Sequence, residues 1–330
     1  MSGTTTTVKH IVKGLLRPRF LFPACIATVL LLSTVYYHRL TDDYNDGYMF
    51  LDRYDSKRKA GPYFDDSTEL SRKLMKAEKL YQKQVSMRKK IIEQNVDGAW
   101  LPRGGTMMPF WWYFQPAFNC PHEVERVGRY NDGGKWMCGM SVLESMTVED
   151  KCVIYSLGVF DDSSWEKEMI DRTKCQVYAF DASVNGIAGD AAGSSNIHFF
   201  KYFVGGEDKV EDGYTWKTLK TIMKENGHTW IDVLKIDIEG NEYAALGAMM
   251  DQFDVLPFSQ LQLEIHVNSN VEDKEKFMKF VNWWESLEAH HLRPFWSELN
   301  LVYSRLQKNL GLSEYSFINI DSKNRLLGVA

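Results

Sequence analysis

Ile231-Asp-Val-Leu-Lys-Ile-Asp-Ile-Glu-Gly240 decides the fold. Its first half is apolar apart from Asp232 and Lys235, and it closes on two carboxylates and a glycine. A short, nearly continuous apolar run of this kind is a strand buried on both faces of a parallel sheet. A lysine inside such a strand is costly unless a carboxylate meets it. Asp237, two residues on, and Glu264, in the next strand, are the expected partners.

On either side the same pattern repeats. Strands are expected at 152–157, 176–180, 197–204, 260–267, 299–303 and 315–320, with helices at 164–173, 214–226, 242–250 and 271–290. Strands alternating with helices predict a mostly parallel, doubly wound α/β sheet, with the last two strands as a candidate antiparallel hairpin. Ligands of such sheets bind beyond the carboxyl ends of the strands. Those ends carry Gly158, Asp181, Asp237 and the pair Glu264 and His266. Gly158 allows a sharp turn and close backbone approach. Asp181 follows it by 23 residues, a spacing suited to accepting ribose hydroxyls, although a turn glycine and a capping Asp have the same spacing. The full G-x-G-x-x-G cradle is absent. Glu264 and His266 point the same way along their strand, and a histidine suits general-base work near neutral pH. Asp237, Glu264 and His266 could also hold a divalent metal if three strand ends converged, but no metal is assigned.

The N-terminal part differs in kind. Residues 1–40 carry Lys9, Lys13, Arg17, Arg19 and Arg39 with no acid, a charge of +5 that leaves −10 on residues 41–330. Residues 20–37 are uncharged and mostly apolar, about the shortest helix that crosses a bilayer. The basic side sets a cytosolic N-terminus. The expected layout is a basic cytosolic tail (1–19), a transmembrane signal anchor (20–38), a stem with a stalk helix (39–99), an aromatic cap segment (100–150) and a catalytic domain (151–322). A cleaved signal peptide or a buried core helix are the rival readings of 20–38. The implied protein is a single-pass type II membrane protein facing the lumen of the Golgi or endoplasmic reticulum. There Cys120, Cys138, Cys152 and Cys175 can pair in three ways, Cys120 with Cys138 being favoured because both lie outside the core strands. In the stalk, Ser67 is a candidate cap, and Leu70, Leu74, Ala77 and Tyr81 form a stripe for docking on the domain or for a homodimer through residues 67–95.

Composition excludes several classes. Apolar residues make up 44% and charged residues 25% of the 330, which argues against a disordered or low-complexity chain. Five cysteines are too few for a disulfide-built scaffold, and a net charge of −5 gives no support to nucleic-acid binding.

The segment Val233-Leu-Lys-Ile-Asp-Ile-Glu-Gly-Asn-Glu-Tyr243 resembles the hallmark of FkbM-type S-adenosylmethionine-dependent methyltransferases. With Arg126-Val-Gly, Asp132-Gly-Gly134, Tyr155-Ser-Leu-Gly158, Ala179-Phe-Asp181 and Gln262-Leu-Glu-Ile-His266, the wider set is more similar to the methyltransferase-like protein 24 group. The resemblance covers about 120–320. It implies a class I methyltransferase fold, Rossmann-like and seven-stranded with an antiparallel last strand, and S-adenosyl-L-methionine as cofactor. It implies that Gly158 admits the methionine part, that Asp181 holds the ribose, that Asp237 lies near methyl and acceptor, and that Gly133 and Gly134 close over the cofactor. The expected reaction is methyl transfer to a hydroxyl of a glycan, glycolipid or small molecule, with His266 or Asp237 taking the proton and Glu264 beside them. A nucleotide-sugar glycosyltransferase and a non-catalytic interaction domain are the alternatives.

Overall fold

The first described element is a 27-residue helix, α1 (Glu69–Asn95). The computed structural model describes residues 68–95, 108–130, 132–267, 274–300, 311–321 and 324–328. The expected span at 20–38 and the candidate cap Ser67 lie outside them. Among the described residues no helix is long and apolar enough to cross a membrane. Thr68 Oγ1 accepts from the Ser71 N–H at 3.0 Å and so fills the cap position at the start of α1. Leu74, Ala77 and Tyr81 are buried against Phe118, Phe295, Ile318 and Leu327, so this stripe is covered by the chain's own sheet and is not an open seam for a second copy.

The aromatic cap segment is described from residue 108 on. It contains helix α2 (Met108–Trp112), an antiparallel hairpin of β1 (Val124–Val127) and β2 (Lys135–Cys138), and helix α3 (Met140–Ser145). Phe110 and Phe114 are fully buried and meet Phe280 at ring-centroid distances of 4.7 Å each.

The α/β domain follows as β3 (Val153–Leu157), α4 (Ser164–Arg172), β4 (Gln176–Phe180), β5 (Ile197–Phe200), β6 (Phe203–Val204), β7 (Lys209–Glu211), β8 (Tyr214–Lys217), α5 (Leu219–Asn226), β9 (Ile231–Ile236), α6 (Glu242–Gln252), β10 (Phe258–His266), α7 (Lys274–Ala289), β11 (Leu292–Leu299) and β12 (Leu312–Asn319). Seven strands make one sheet in the order β11-β12-β10-β9-β3-β4-β5. The five from β10 to β5 are mutually parallel, and β12 runs antiparallel between β10 and β11. This is the class I methyltransferase arrangement that the resemblance implied. Ile154, Val177 and Val233 join Met140, Leu143, Trp165 and Met169 in one fully buried cluster, which fixes α3 and α4 on that face.

Two expectations are corrected, those at 214–226 and 197–204. Among the described residues the strand next to β12 lies at Leu292–Leu299, and the strand expected at 299–303 falls outside them beyond Asn300. Arg293 and Pro294 hide Leu292–Leu299 in the sequence: Arg293 is neutralised by Glu78 of α1 at 2.8 Å, and the pairing with β12 shifts register between Pro294 and Trp296. The helix expected at 214–226 starts only at Leu219, because Tyr214, Thr215 and Trp216 form β8 behind an Asp212-Gly213 turn. Both turn residues have positive φ, 49° and 82°, the geometry of a tight hairpin. The strand expected at 197–204 breaks after Phe200, and β6 joins β8 in a separate small sheet.

Two disulfides are present, Cys120–Cys138 and Cys152–Cys175. The first is the favoured pairing. The second joins the residue before β3 to the residue before β4, 23 positions apart, and both cysteines are buried. Replacing Cys152 and Cys175 by alanine is expected to lower stability by about 3 kcal/mol, read as a lower urea midpoint.

Candidate active site

The sheet order reverses between β3 and β9, and this switch point is where such sheets bind ligands. The turn after β3 is held there by its own backbone. The Gly158 N–H donates to the Phe180 carbonyl at 2.9 Å, and the Asp237 N–H donates to the Leu157 carbonyl at 2.9 Å. Gly158 has φ 80°, and a Cβ on it would stand 1.8 Å from the Asp237 carbonyl oxygen. Glycine is therefore required at 158 by the end of β9, whatever binds there.

Asp181, at the end of β4, is buried. Its Oδ2 accepts from the Val159 and Phe160 N–H groups at 3.1 and 3.0 Å, and its Oδ1 accepts from the Ser183 N–H and hydroxyl at 2.7 and 2.6 Å. A carboxylate offers about four lone-pair positions, and here all are taken. A ribose hydroxyl that uses this carboxylate must displace one of these donors, the Ser183 hydroxyl being the freest to rotate.

Lys235 does not take the partners expected of it. Its ammonium donates to the Gly158 carbonyl at 2.6 Å and lies 3.5 Å from Glu166 of α4, a fully buried carboxylate that also accepts from Ser156. The cation that meets Asp237 and Glu264 is Lys135 of β2. It is 2% exposed, donates to Glu314 Oε1 at 2.6 Å, and stands 3.7 Å from both Asp237 Oδ2 and Glu264 Oε2. β12 delivers Glu314 because Glu264 and Glu314 face each other across the antiparallel pair. The Asn300 amide donates to Glu264 Oε1 at 3.2 Å.

His266 is held at both ring nitrogens. Nδ1 bonds Glu242, a fully buried carboxylate of α6, and Nε2 lies 3.2 Å from Glu239 and 4.0 Å from Glu264. Burial alone would lower its pKa, but Glu242, Glu239 and Glu264 together hold it well above the ordinary imidazole range. Burial pushes Glu264 well up, reinforced by Asp237 and Glu314. Asp237 is held down against its own burial by Lys135, Lys235 and His266. The geometry thus stabilises a carboxylate at 237, an imidazolium at 266 and a proton on Glu264. Asp237, Glu239 and His266 have ligand atoms within 4.8 Å of one another, as do Asp132, Glu264 and Glu314. Glu264 is therefore not in the group that holds Asp237 and His266, and Lys135 already stands between the two groups.

Gly133 packs against the loop that follows Gly158, and Gly134 against Arg126 and Arg129. A Cβ on Gly133 would meet the Asp162 carboxylate at 2.1 Å, and one on Gly134 would meet Arg126 Nη1 at 2.1 Å. Arg129 Nε and Asp162 Oδ2, 2.7 Å apart, fasten the same contact. The turn 132–134 thus touches the loop between β3 and α4.

Sequence reasoning missed Lys135, Glu314, Glu242 and Glu166. The signal for Lys135 was available, since a lysine opening the apolar strand Lys-Trp-Met-Cys poses the same question as Lys235. The answer, a partner 179 residues away, was not.

A parallel sheet closed by one inserted antiparallel strand, with acidic residues at the switch point, defines a class I methyltransferase-type fold and site. A family model described as "Methyltransferase domain" matches residues 55–318, and the chain belongs to that family. The family is described as methyltransferases, and its cofactor is S-adenosylmethionine. The chain is 26% identical over 144 residues to the human protein named probable methyltransferase-like protein 24, and 27% identical over 144 residues to its rat counterpart. These matches cover 42% of this chain and only 39% of each relative. Among solved structures, a Methanococcus jannaschii fibrillarin pre-rRNA processing protein is similar at 12% identity and TM-score 0.34, over 61% of this chain and 83% of that one. A structure described as "cmcI-N160 SAH" is similar at 15% identity and TM-score 0.25, over 65% and 93%. The FkbM-type resemblance rests on the Val233–Tyr243 segment alone.

The residues present fit the cofactor in charge and in place. Asp237 keeps 22% of its side chain accessible at the switch point, next to the left-handed turn at Gly158, and offers negative charge to a sulfonium.

Proposed function

We propose that this chain transfers the methyl of S-adenosylmethionine to a hydroxyl oxygen of a glycan, glycolipid or other lumenal small molecule. The observation that carries the reading is Asp237, partly accessible at the switch point, next to Gly158 and 3.7 Å from buried Lys135. Gly158 and Asp181 would hold the cofactor, with Gly133 and Gly134 closing over it. When bound, the cofactor supplies a methyl on a sulfonium, already activated for transfer to an oxygen held in line. The protein's tasks are to orient the acceptor and to take its proton. Of the candidates, Asp237 is the base, since it is negative and partly accessible. His266, bonded at both nitrogens, positions Glu239 and Glu242, and Glu264, whose pKa burial raises, stands beside them.

The residues at 20–38 serve as a signal anchor, with the domain on the lumenal side of the Golgi or endoplasmic reticulum. Two disulfides support an oxidising compartment.

Purified chain is expected to bind S-adenosylmethionine in calorimetric titration. Asp237→Asn should retain that binding to within a few-fold while methyl transfer to a hydroxyl acceptor falls by about 10²–10⁴. Between pH 8 and 5.5 turnover should stay nearly flat, because a carboxylate held below its ordinary pKa remains ionised as pH falls. A base at His266 predicts a loss beginning above pH 6.5, and seeing that loss would move the role to His266. Absence of cofactor binding would favour the non-catalytic reading, for which the fully engaged Asp181 carboxylate is the specific observation.

A further inference from the structure

Helix α1 carries a second, outward pattern besides the stripe it buries. Arg72, Lys76, Lys79, Lys83 and Lys90 recur at steps of four, three, four and seven, so they share one face, and all are exposed. Beside that face runs an apolar ridge of Leu80, Met87 and Ile91, exposed by 42, 46 and 45%. The ridge continues onto Trp112 of α2, which is 59% exposed. Met87, Ile91 and Trp112 line one groove of about 410 Å³, whose walls include none of the site residues. Four of the exposed large apolar side chains among the described residues thus lie together.

The charge is as uneven as the hydropathy. Residues 68–95 hold eight lysines and arginines against three glutamates, in a chain whose net charge is −5. A band of cations alongside Leu, Met, Ile and Trp is the composition of a helix lying in a membrane interface. There the apolar ridge enters the acyl boundary while the lysine stems reach back to phosphate groups. The excess of five positive charges on this helix is complementary to the anionic surface of a phospholipid bilayer. The expected span ends at residue 38, so at most about 100 Å of chain separates it from Thr68.

We infer that the outer face of α1, with Trp112, docks on a phospholipid bilayer surface and seats the domain against the membrane. Methyl transfer plays no part in this inference, and its failure would leave the reading of the strand ends untouched.

The test uses the full chain with Cys25→Ser, reconstituted in phosphatidylcholine nanodiscs and spin-labelled at Met87→Cys or, as reference, at exposed Lys220→Cys. At 87 the label should be relaxed more by oxygen, which partitions into lipid, than by a water-soluble nickel chelate, and at 220 the order should reverse. Phosphatidylserine in the disc should strengthen the effect, and the triple change Lys76→Glu, Lys79→Glu, Lys83→Glu should return position 87 to water. A label at 87 as accessible to the nickel chelate as the one at 220 overturns the inference. So does dipolar broadening between two labelled copies, which would make a second chain the occupant. Carbonate extraction reports separately on residues 20–38. A chain released by carbonate would be offered to vesicles in solution with the same labels and the same outcomes.

Discussion

Lys135→Met is expected to destabilise the protein by about 3–5 kcal/mol at pH 7, the range for removing one partner of a buried ion cluster. Lys135 is 2% exposed and is the cation that stands within 3.7 Å of Asp237 and Glu264 while bonding Glu314. Methionine fills a similar volume, so the loss is electrostatic and not a cavity. For a domain of this size the melting temperature should fall by roughly 10 °C. The pH dependence has a definite sign. Asp237 is held low by Lys135, so in the wild type its contribution is present above the ordinary carboxylate pKa and is lost as pH falls through the lowered value. In Lys135→Met the acidic groups lose their cation, and protonation relieves what repulsion remains between Asp237 and Glu314, so the deficit should shrink as pH falls from 7 to 5. Adding Glu314→Gln should restore part of the stability. A melting temperature within 2 °C of wild type at pH 7 would refute a structural role for this cation.

Gly158→Ala has the second largest expected effect. The left-handed conformation at φ 80° costs a non-glycine residue about 1–2 kcal/mol, and overpacking adds about 1–3 kcal/mol. The clash is with backbone, the Asp237 carbonyl at 1.8 Å, so no side-chain rotation relieves it. The end of β9 must move, and Asp237 moves with it. Loss of stability by urea titration should therefore come with loss of S-adenosylmethionine binding by calorimetry. A folded variant with normal stability and no binding would instead mean that Gly158 is needed by the ligand alone.

Much of the catalytic sheet was legible because its signals are local. The runs at 152–157, 176–180 and 231–236 are apolar, short and ended by Gly158, Asp181 and Asp237, and the strands observed agree closely. Ser164–Arg172 was readable as a helix for the same reason. Leu292–Leu299 was not, because its arginine is tolerable only through Glu78 on a distant helix. β8 was hidden by a continuation into α5 that looks helical as a whole, and only the Asp212-Gly213 turn marks it as a hairpin strand.

The candidate site divides the same way. Asp237, Glu264 and His266 sit at the strand ends where alternation and run length put them, and Gly158 sits beside Asp237. The sequence by itself therefore determined the class of sheet, the end of it that carries the chemistry, and the acidic character of that end. Tertiary structure decided which charges meet. Register across β10 and β12 brought Glu314 opposite Glu264, and the β1–β2 hairpin brought Lys135 between them. That cation, together with Lys235 and His266, lowers the pKa of Asp237, whereas burial and two acidic neighbours raise that of Glu264. Strand identity follows from side chains within a few residues of one another. Protonation follows from charges a few ångströms apart in space and up to 179 residues apart in the chain, and no local pattern encodes that.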